Sequence, residues 1–191
     1  MNINEIKGAI KVGKIRVGDK NYTGKKQVYH KKKLVLDYDE KFDNKLKKKE
    51  CIIVYFFTIN DEIYKIGQSA GKGGISACMN FYLGAGQDDP GLNRFAINWL
   101  IREELKKKNR VDVYMLYEEG FKIETLGLFQ KKRKVFTVSP AKSMEGECLK
   151  DFKEKNGSIP PWNAQEGARK IPSHIANAFG EYKKLRSGKN K

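Results

Sequence analysis

The chain has 191 residues, of which 39% are hydrophobic and 11% aromatic, and it carries a formal net charge of +16. This composition can bury the core of one ordinary domain and argues against wholesale disorder. No apolar run approaches the roughly 18 residues that a membrane span needs, and residues 1–5 lack the layout of a signal peptide. The three cysteines are widely spaced, without a C-x-x-C pair, so we expect a cytoplasmic protein with free thiols and no zinc site.

The positive charge lies mainly in the two flanks of the chain. Residues 1–50 carry 15 Lys and Arg against 7 Asp and Glu, a net charge of +8, whereas residues 51–100 carry 3 against 4. Residues 101–150 and 151–191 carry net charges of +4 and +5. Clustered Lys and Arg suit a polyanion, because each phosphate that they neutralise releases counterions. The pattern favours a nucleic-acid partner. The alternatives are a merely soluble basic protein and a protein that binds RNA as a structural component.

The first half of the chain predicts short strands. Residues 8–38 alternate β-prone stretches with Gly, Lys and turn signals, which predicts a basic hairpin or small meander. Residues 51–59 form a continuous β-branched and aromatic run that is apolar on both faces, which predicts a central strand covered on both sides. Residues 63–67 return as a second strand after a turn at 60–62, so 51–67 predict a hairpin.

The second half predicts helices and strands in alternation. Together the elements predict an α+β fold, with a small central antiparallel sheet flanked by helices and with basic peripheral β-hairpins. The expected elements are a short helix over 75–83, a helix over 93–108, a strand over 111–117, a hairpin over 121–138 around a basic turn at 131–134, a helix over 143–155 capped by Ser143, and an amphipathic helix over 171–185.

One glycine-rich segment superficially suggests a phosphate-binding P-loop. That motif requires four residues between its glycines and a Ser or Thr after its Lys. Here three residues separate Gly67 from Gly71, and Gly73 follows Lys72. We therefore expect no nucleotide cofactor.

The predicted hairpin carries the motif that points to an activity. Tyr55 ends the triplet IVY at 53–55, and the triplet KIG at 65–67 closes the second strand. These triplets resemble the signature of the GIY-YIG nuclease superfamily, whose two triplets lie on adjacent strands of a small sheet. The first triplet retains its tyrosine, and Lys65 replaces the tyrosine of the second. That replacement is similar to the restriction-endonuclease branch of the superfamily.

A second part of the resemblance lies in residues 143–163. Glu145, Leu149 and Phe152 share one helical face, whereas Glu147 points away from it. A carboxylate on the face of a helix that points to the core needs a partner for its negative charge, and a metal ion would be such a partner. The alternative is a glutamate at the edge of the stripe, stabilised by the helix dipole. The resemblance implies that Glu145 binds one Mg²⁺ per active site and that Asn163, which follows two prolines, buttresses the site.

The arginine of the superfamily has no counterpart at its usual place, because residues 75–83 contain none. Arg94, at the start of the next helix, is our candidate, and Arg102 and Lys72 are alternatives. The structural alternative for Arg94 is a solvated residue in the first helical turn. The resemblance implies that this arginine clamps a non-bridging phosphate oxygen.

The resemblance also implies roles for the tyrosine and the lysine. Tyr55 would act as the general base or would position the attacking water, and the Lys65 ammonium would favour the phenolate. These roles require both side chains on one face of the hairpin. A two-residue turn would place them on opposite faces, whereas a three-residue turn or a compensating bulge would place them on the same face. Gly67, then opposite Tyr55, would leave room above the ring for a phosphate.

The resemblance spans roughly residues 51–165 and implies a catalytic core there. Residues 1–50 would form a basic DNA-contacting extension, and residues 166–191 a basic helix and tail. The implied function is a magnesium-dependent endonuclease of the type II restriction class that cuts a short site in double-stranded DNA as a homodimer. The alternative is a non-catalytic nucleic-acid-binding protein that keeps the fold. The clustered charges predict phosphate contacts from Lys31, Lys32, Lys33, Lys72, Lys131, Lys132 and Arg133.

Overall fold

A computed structural model describes residues 1–21, 30–70, 73–85, 90–118, 140–163 and 170–187 with their side chains, and residues 121–126 and 133–138 by their backbone alone. In chain order the strands and helices are β1 (Ile10–Asn21), β2 (Lys32–Tyr38), β3 (Ile52–Ile59), β4 (Glu62–Ser69), α1 (Gly74–Leu83), α2 (Leu92–Lys106), β5 (Val111–Glu118), β6 (Phe121–Leu126), β7 (Arg133–Val138), α3 (Ala141–Asn156) and α4 (Ser173–Arg186).

The centre of the fold is a five-stranded sheet in the order β2-β1-β5-β3-β4, in which every neighbouring pair is antiparallel. Strands β6 and β7 form a separate antiparallel hairpin, as expected for residues 121–138. Helices flank the central sheet. The predicted α+β class is therefore confirmed.

Strand β3 is covered on both faces, as its apolar run predicts. All eight of its residues are buried, and β4 and β5 pair with its two edges. On one face Tyr55 and Phe57 pack in a core cluster with residues of α1 and α2. On the other face Val54 and Phe56 pack against Leu149 and Phe152 of α3. Both faces are apolar because each of them is the inner wall of a core layer.

The basic N-terminal hairpin belongs to the central sheet. Strand β1 pairs with β2 on one side and with β5 on the other, so β2 forms one edge of the sheet. The sequence predicts two short stretches on either side of Gly13, but β1 is one strand of 12 residues. Gly13 lies inside this strand. A Cβ at this position would lie within about 3 Å of the Asp37 carbonyl group, so only glycine allows β2 to approach β1 so closely here.

The helices lie where the apolar periodicity places them, with small differences at their ends. Helix α3 begins at Ala141, so the prediction that Ser143 caps it is wrong; Pro140 holds the cap position, and proline suits a helix start because it has no N–H to satisfy. Gly91 precedes α2, and α4 begins two residues later than expected. Within the described residues, none of the helices combines the length and the apolar character that a membrane span requires.

Candidate active site

The turn and the register of the β3–β4 hairpin decide which side chains share a face. Asn60 and Asp61 form a two-residue turn with φ of 48° and 70°, so the expected three-residue turn is wrong. The register shifts between Phe57 and Thr58, which leaves Tyr64 as an extra residue in β4. This bulge pairs Phe57 with Lys65 and places Lys65 on the Tyr55 face. The sequence analysis required either a three-residue turn or a compensating bulge for this arrangement, and the structure has the bulge.

Gly67 lies directly opposite Tyr55 in this register. A Cβ on Gly67 would lie 2.3 Å from the Tyr55 hydroxyl oxygen and 2.4 Å from Cζ, so the phenol ring lies across the glycine backbone. The expected room for a phosphate at this point is therefore filled by the tyrosine ring. The glycine is required for the ring position, because any side chain would occupy the same volume.

Tyr55 forms a hydroxyl pair with Tyr82 of α1. The two oxygens lie 2.6 Å apart, and Tyr55 is only 3% exposed. Burial raises the pKa of Tyr55 well above its usual value, and the nearby Tyr82, Cys78 and Glu145 raise it further. Burial in the core is the largest influence on this phenol and raises its pKa, so the phenolate that we expected Lys65 to favour is disfavoured in this setting.

The sequence analysis takes Tyr82 for a packing aromatic whose hydroxyl could contact a phosphate, and it gives Tyr82 no catalytic role. Burial raises its pKa to about 12; the negative charge of Glu145 acts in the same direction, and the positive charge of Arg94 acts against it. The phenol thus lies within electrostatic reach of both charged candidates. A signal was available in the sequence, because Tyr82 falls on the same face of α1 as the buried Ile75 and Met79.

Helix α3 presents its two glutamates differently. Glu145 is half-buried, and its charge acts on Tyr55 and Tyr82. Glu147 is exposed, with Lys150 4.0 Å away. The predicted helical phase is confirmed, because Glu145 lies on the same face of α3 as the buried Leu149 and Phe152, whereas Glu147 faces solvent.

The two candidate arginines of α2 have different surroundings. Arg94 lines the same cavity as Lys65 and Tyr82, and its guanidinium carbon lies 3.6 Å from the centre of the Phe81 ring. Arg102 is buried, and it donates hydrogen bonds to the Asn98 side chain at 2.9 Å and to the Lys32 carbonyl at 2.8 Å. Arg102 ties α2 to β2, whereas Arg94 is the candidate arginine that lines the cavity.

Asn163 closes the free edge of β4. Its side-chain amide accepts a hydrogen bond from the Ile66 N–H at 2.9 Å and donates one to the Ile66 carbonyl at 2.7 Å. The Trp162 N–H donates to the Tyr64 carbonyl at 2.8 Å. Residues 162–163 therefore hold the strand that carries Lys65 and Gly67. This is the structural contact that Asn163 makes. Because both polar ends of its amide bind backbone, Asn163 is a positioning residue.

This chain shares the fold of bacteriophage T4 EndoII. Its structure superposes on that of an EndoII point mutant with a TM-score of 0.54 at 18% sequence identity, covering 85% of this chain and 98% of the phage protein. A restriction endonuclease, HPY188I in complex with product DNA, superposes with a TM-score of 0.48 at 19% identity, covering 84% of each chain. No protein-family model and no curated protein matches the sequence.

Three residues of the site, Lys65, Tyr82 and Arg94, line one cavity of about 280 Å³ at the β4 edge of the sheet. Glu145 of α3 is not part of this lining, but its negative charge raises the pKa of Tyr55 and of Tyr82. In the part of the chain that the structure describes, no three His, Cys, Asp or Glu residues cluster as a metal-binding set. One half-buried carboxylate is nevertheless a fitting ligand for Mg²⁺, which keeps several waters and uses one or two carboxylates together with substrate phosphates.

The sequence analysis also predicts phosphate contacts from basic residues elsewhere in the chain. Lys31 and Lys32 are exposed and Lys33 is half-buried, at or next to the start of β2. Arg133 begins β7, so it belongs to a strand and not to the turn where the sequence analysis placed it. Lys72, Lys131 and Lys132 lie outside the described residues. The DNA contacts of all these residues stay predictions.

Proposed function

We propose that this chain is a magnesium-dependent DNA endonuclease that hydrolyses phosphodiester bonds. The observation that carries the proposal is the convergence of Lys65, Tyr82 and Arg94 on one cavity, with Tyr55 bonded to Tyr82 and Glu145 within electrostatic reach. The fold that this chain shares with T4 EndoII supports it. The two triplets of the β3–β4 hairpin support it independently.

The cavity supplies the groups that phosphodiester cleavage requires. The Arg94 guanidinium is a forked donor that can hold two phosphate oxygens, and the Lys65 ammonium adds a second positive charge in a largely buried setting. A phenol is protonated at neutral pH even at its usual pKa, and burial raises the pKa of Tyr55 and of Tyr82 further, so we assign Tyr55 the role of positioning the attacking water. Glu145 would hold one Mg²⁺, which when bound supplies positive charge for the developing negative charge on the leaving oxygen.

The finer class that we propose is a type II restriction enzyme that cuts a short duplex site. The basic β1–β2 hairpin is hydrogen-bonded into the sheet that carries Tyr55 and Lys65, which supports a recognition surface built into the catalytic domain. A palindromic site would require a two-fold homodimer. The rival function is a nucleic-acid-binding protein that keeps the fold without the chemistry.

Nicking of supercoiled plasmid tests the proposal directly. With Mg²⁺ we expect conversion to open-circular or linear DNA, and with EDTA we expect none. Identical plasmid patterns under both conditions, together with a gel shift, would support the binding protein instead. Digestion of a sequenced plasmid and mapping of the ends would then show whether the cuts fall at one short site and leave 5′-phosphates.

Replacing each α2 arginine by alanine separates its role from that of the other. We expect Arg94→Ala to lower the nicking rate by roughly two to three powers of ten, the usual range for one charge-stabilising group, with little change in melting temperature. Arg102→Ala should lower the free energy of unfolding by about 1–3 kcal/mol, because it leaves the buried Asn98 amide and the Lys32 carbonyl without their donor. If Arg102→Ala abolishes nicking in a fully folded protein, our assignment of the arginine is wrong.

The lysines at the start of β2 offer a test of the basic flank. Neutralising Lys31, Lys32 and Lys33 together should weaken binding to all duplex sequences alike. The slope of log affinity against log salt should become shallower by up to about 0.9 for each phosphate contact removed. Fluorescence anisotropy with two unrelated duplexes at several salt concentrations measures both effects. Unchanged affinity at low salt would show that these lysines are merely solvated.

A further inference from the structure

The cavity that Arg94 lines has an apolar part, and phosphate binding does not explain that part. Arg94, Ile97 and Leu100 line it at three-residue intervals on α2, so the helix contributes about 9 Å of wall that changes from charged to apolar. A phosphate is recognised by cations and hydrogen-bond donors and gains nothing from apolar walls. The apolar part of the cavity therefore suits another part of the substrate.

Two aromatic rings line the same cavity. Tyr64 and Trp162 both line the cavity, with ring centroids 5.5 Å apart and planes at 66°. The backbone hydrogen bond from Trp162 to Tyr64 and the buried packing of Trp162 hold this pair in place. Tyr64 is the bulge residue of β4, so the irregularity that places Lys65 on the Tyr55 face also leaves Tyr64 on the cavity wall. Rigid aromatic rings next to cations are the usual means of binding a nucleobase beside its phosphate.

The volume of the cavity limits the size of its occupant. At about 280 Å³ it falls just below the roughly 300 Å³ at which pockets for drug-sized ligands begin. One base-sized planar group fits this volume better than a dinucleotide or a large cofactor. In DNA the base is the group that joins planar apolar faces to the sugar and phosphate.

We propose that this cavity binds one nucleobase of the DNA substrate, beside the phosphate that Arg94 and Lys65 hold. The proposal rests on the proposed function, because that function supplies the phosphate. A base in a duplex is paired and stacked, so it reaches the cavity only when its nucleotide turns out of the stack. Because weakly paired bases open most easily, the cavity would favour cleavage at steps that unstack readily.

Deoxynucleoside 5′-monophosphates test the base site without knowledge of the recognition sequence. Each carries one base and one phosphate on a single sugar, and deoxyribose 5-phosphate is the matched ligand without a base. By calorimetry on the full chain, we expect at least one of the four monophosphates to bind about tenfold or more tightly than deoxyribose 5-phosphate, as stacking on an aromatic wall predicts. If none binds more tightly than deoxyribose 5-phosphate, the base site does not exist.

Filling the cavity provides the matched pair of variants. Leu100→Trp adds bulk to a half-buried position on the cavity wall, whereas Leu105→Trp adds it to a half-buried position on the same helix that does not line the cavity. We expect Leu100→Trp to bring monophosphate affinity down to that of deoxyribose 5-phosphate and Leu105→Trp to leave it unchanged, with thermal melting to verify both folds. Equal effects of the two variants would overturn the proposal.

Plasmid nicking on the same preparations separates this proposal from the proposed function. Nicking with Mg²⁺ but without base-dependent monophosphate binding would overturn the base site alone. Base-dependent binding without any nicking would contradict the endonuclease and support the site within a DNA-binding protein.

Discussion

Replacing Glu145 by glutamine should abolish Mg²⁺-dependent nicking while leaving DNA binding nearly intact. The substitution keeps the size of the side chain and removes the negative charge on α3 that raises the pKa of Tyr55 and of Tyr82. We expect a loss of about a thousandfold in rate, which corresponds to about 4 kcal/mol of transition-state stabilisation and is the scale on which a bound metal ion acts. The measurements are the initial rate of plasmid nicking with saturating Mg²⁺ and duplex affinity with EDTA.

Glu147→Gln is the matched control for this experiment. It makes the same chemical change two residues away on the exposed face of α3, so the nicking rate should equal that of the unaltered protein. A rate that falls with Glu147→Gln and persists with Glu145→Gln would contradict the assignment of the metal ligand. Loss of duplex affinity with Glu145→Gln in EDTA would mean that Glu145 has a structural role.

Replacing Gly67 by alanine should lower both stability and activity. The added Cβ would lie 2.3 Å from the Tyr55 hydroxyl oxygen, and Tyr55 has little room to move, because it is buried and bonded to Tyr82. Overpacking of this kind costs about 1–3 kcal/mol in the free energy of unfolding. Displacement of the phenol by about 1 Å should lower the nicking rate by roughly a hundredfold. Denaturant unfolding and plasmid nicking measure the two effects.

Two controls show whether the contact with the Tyr55 ring is the cause. Gly180→Ala, in α4, adds the same methyl group where no atom lies within 4 Å, and it should stabilise the protein by about 0.5–1 kcal/mol because alanine favours a helix. In a Tyr55→Ala background, Gly67→Ala should cost little, because the ring that it meets is gone. An undiminished cost in that background would show that the clash with Tyr55 does not explain the effect.

Local patterns were enough to predict much of the fold and part of the site. The run of β3 needs no partner to be recognised, because its eight residues are all β-branched or aromatic, which is typical of a strand covered on both faces. The helical phase that separates Glu145 from Glu147 follows from 3.6 residues per turn, and it was predicted correctly. Arg94 was correctly placed at the start of a helix for the same reason: helix periodicity and end signals are encoded within a few residues.

Other features depended on contacts between distant segments, and only the tertiary structure decided them. The bulge at Tyr64 reconciles a two-residue turn with the pairing of Tyr55 and Gly67, and no local pattern distinguishes it from a longer turn. The hydroxyl pair of Tyr55 and Tyr82 joins β3 to α1 across 27 residues, and no local pattern predicts it. The Asn163 amide reaches Ile66 across 97 residues to satisfy both backbone groups of an edge strand.

One physical cause explains why some features were predictable from the sequence and others were not. Strand and helix periodicities repeat over two and 3.6 residues, so the sequence by itself determined which residues form each element and which face of it is apolar. The joining of β1 to β5, the pairing of Tyr55 with Tyr82 and the gathering of Lys65 and Arg94 at one cavity depend on how those elements pack. Packing is selected by the whole core at once, because buried surfaces and buried hydrogen-bonding groups must all be matched together.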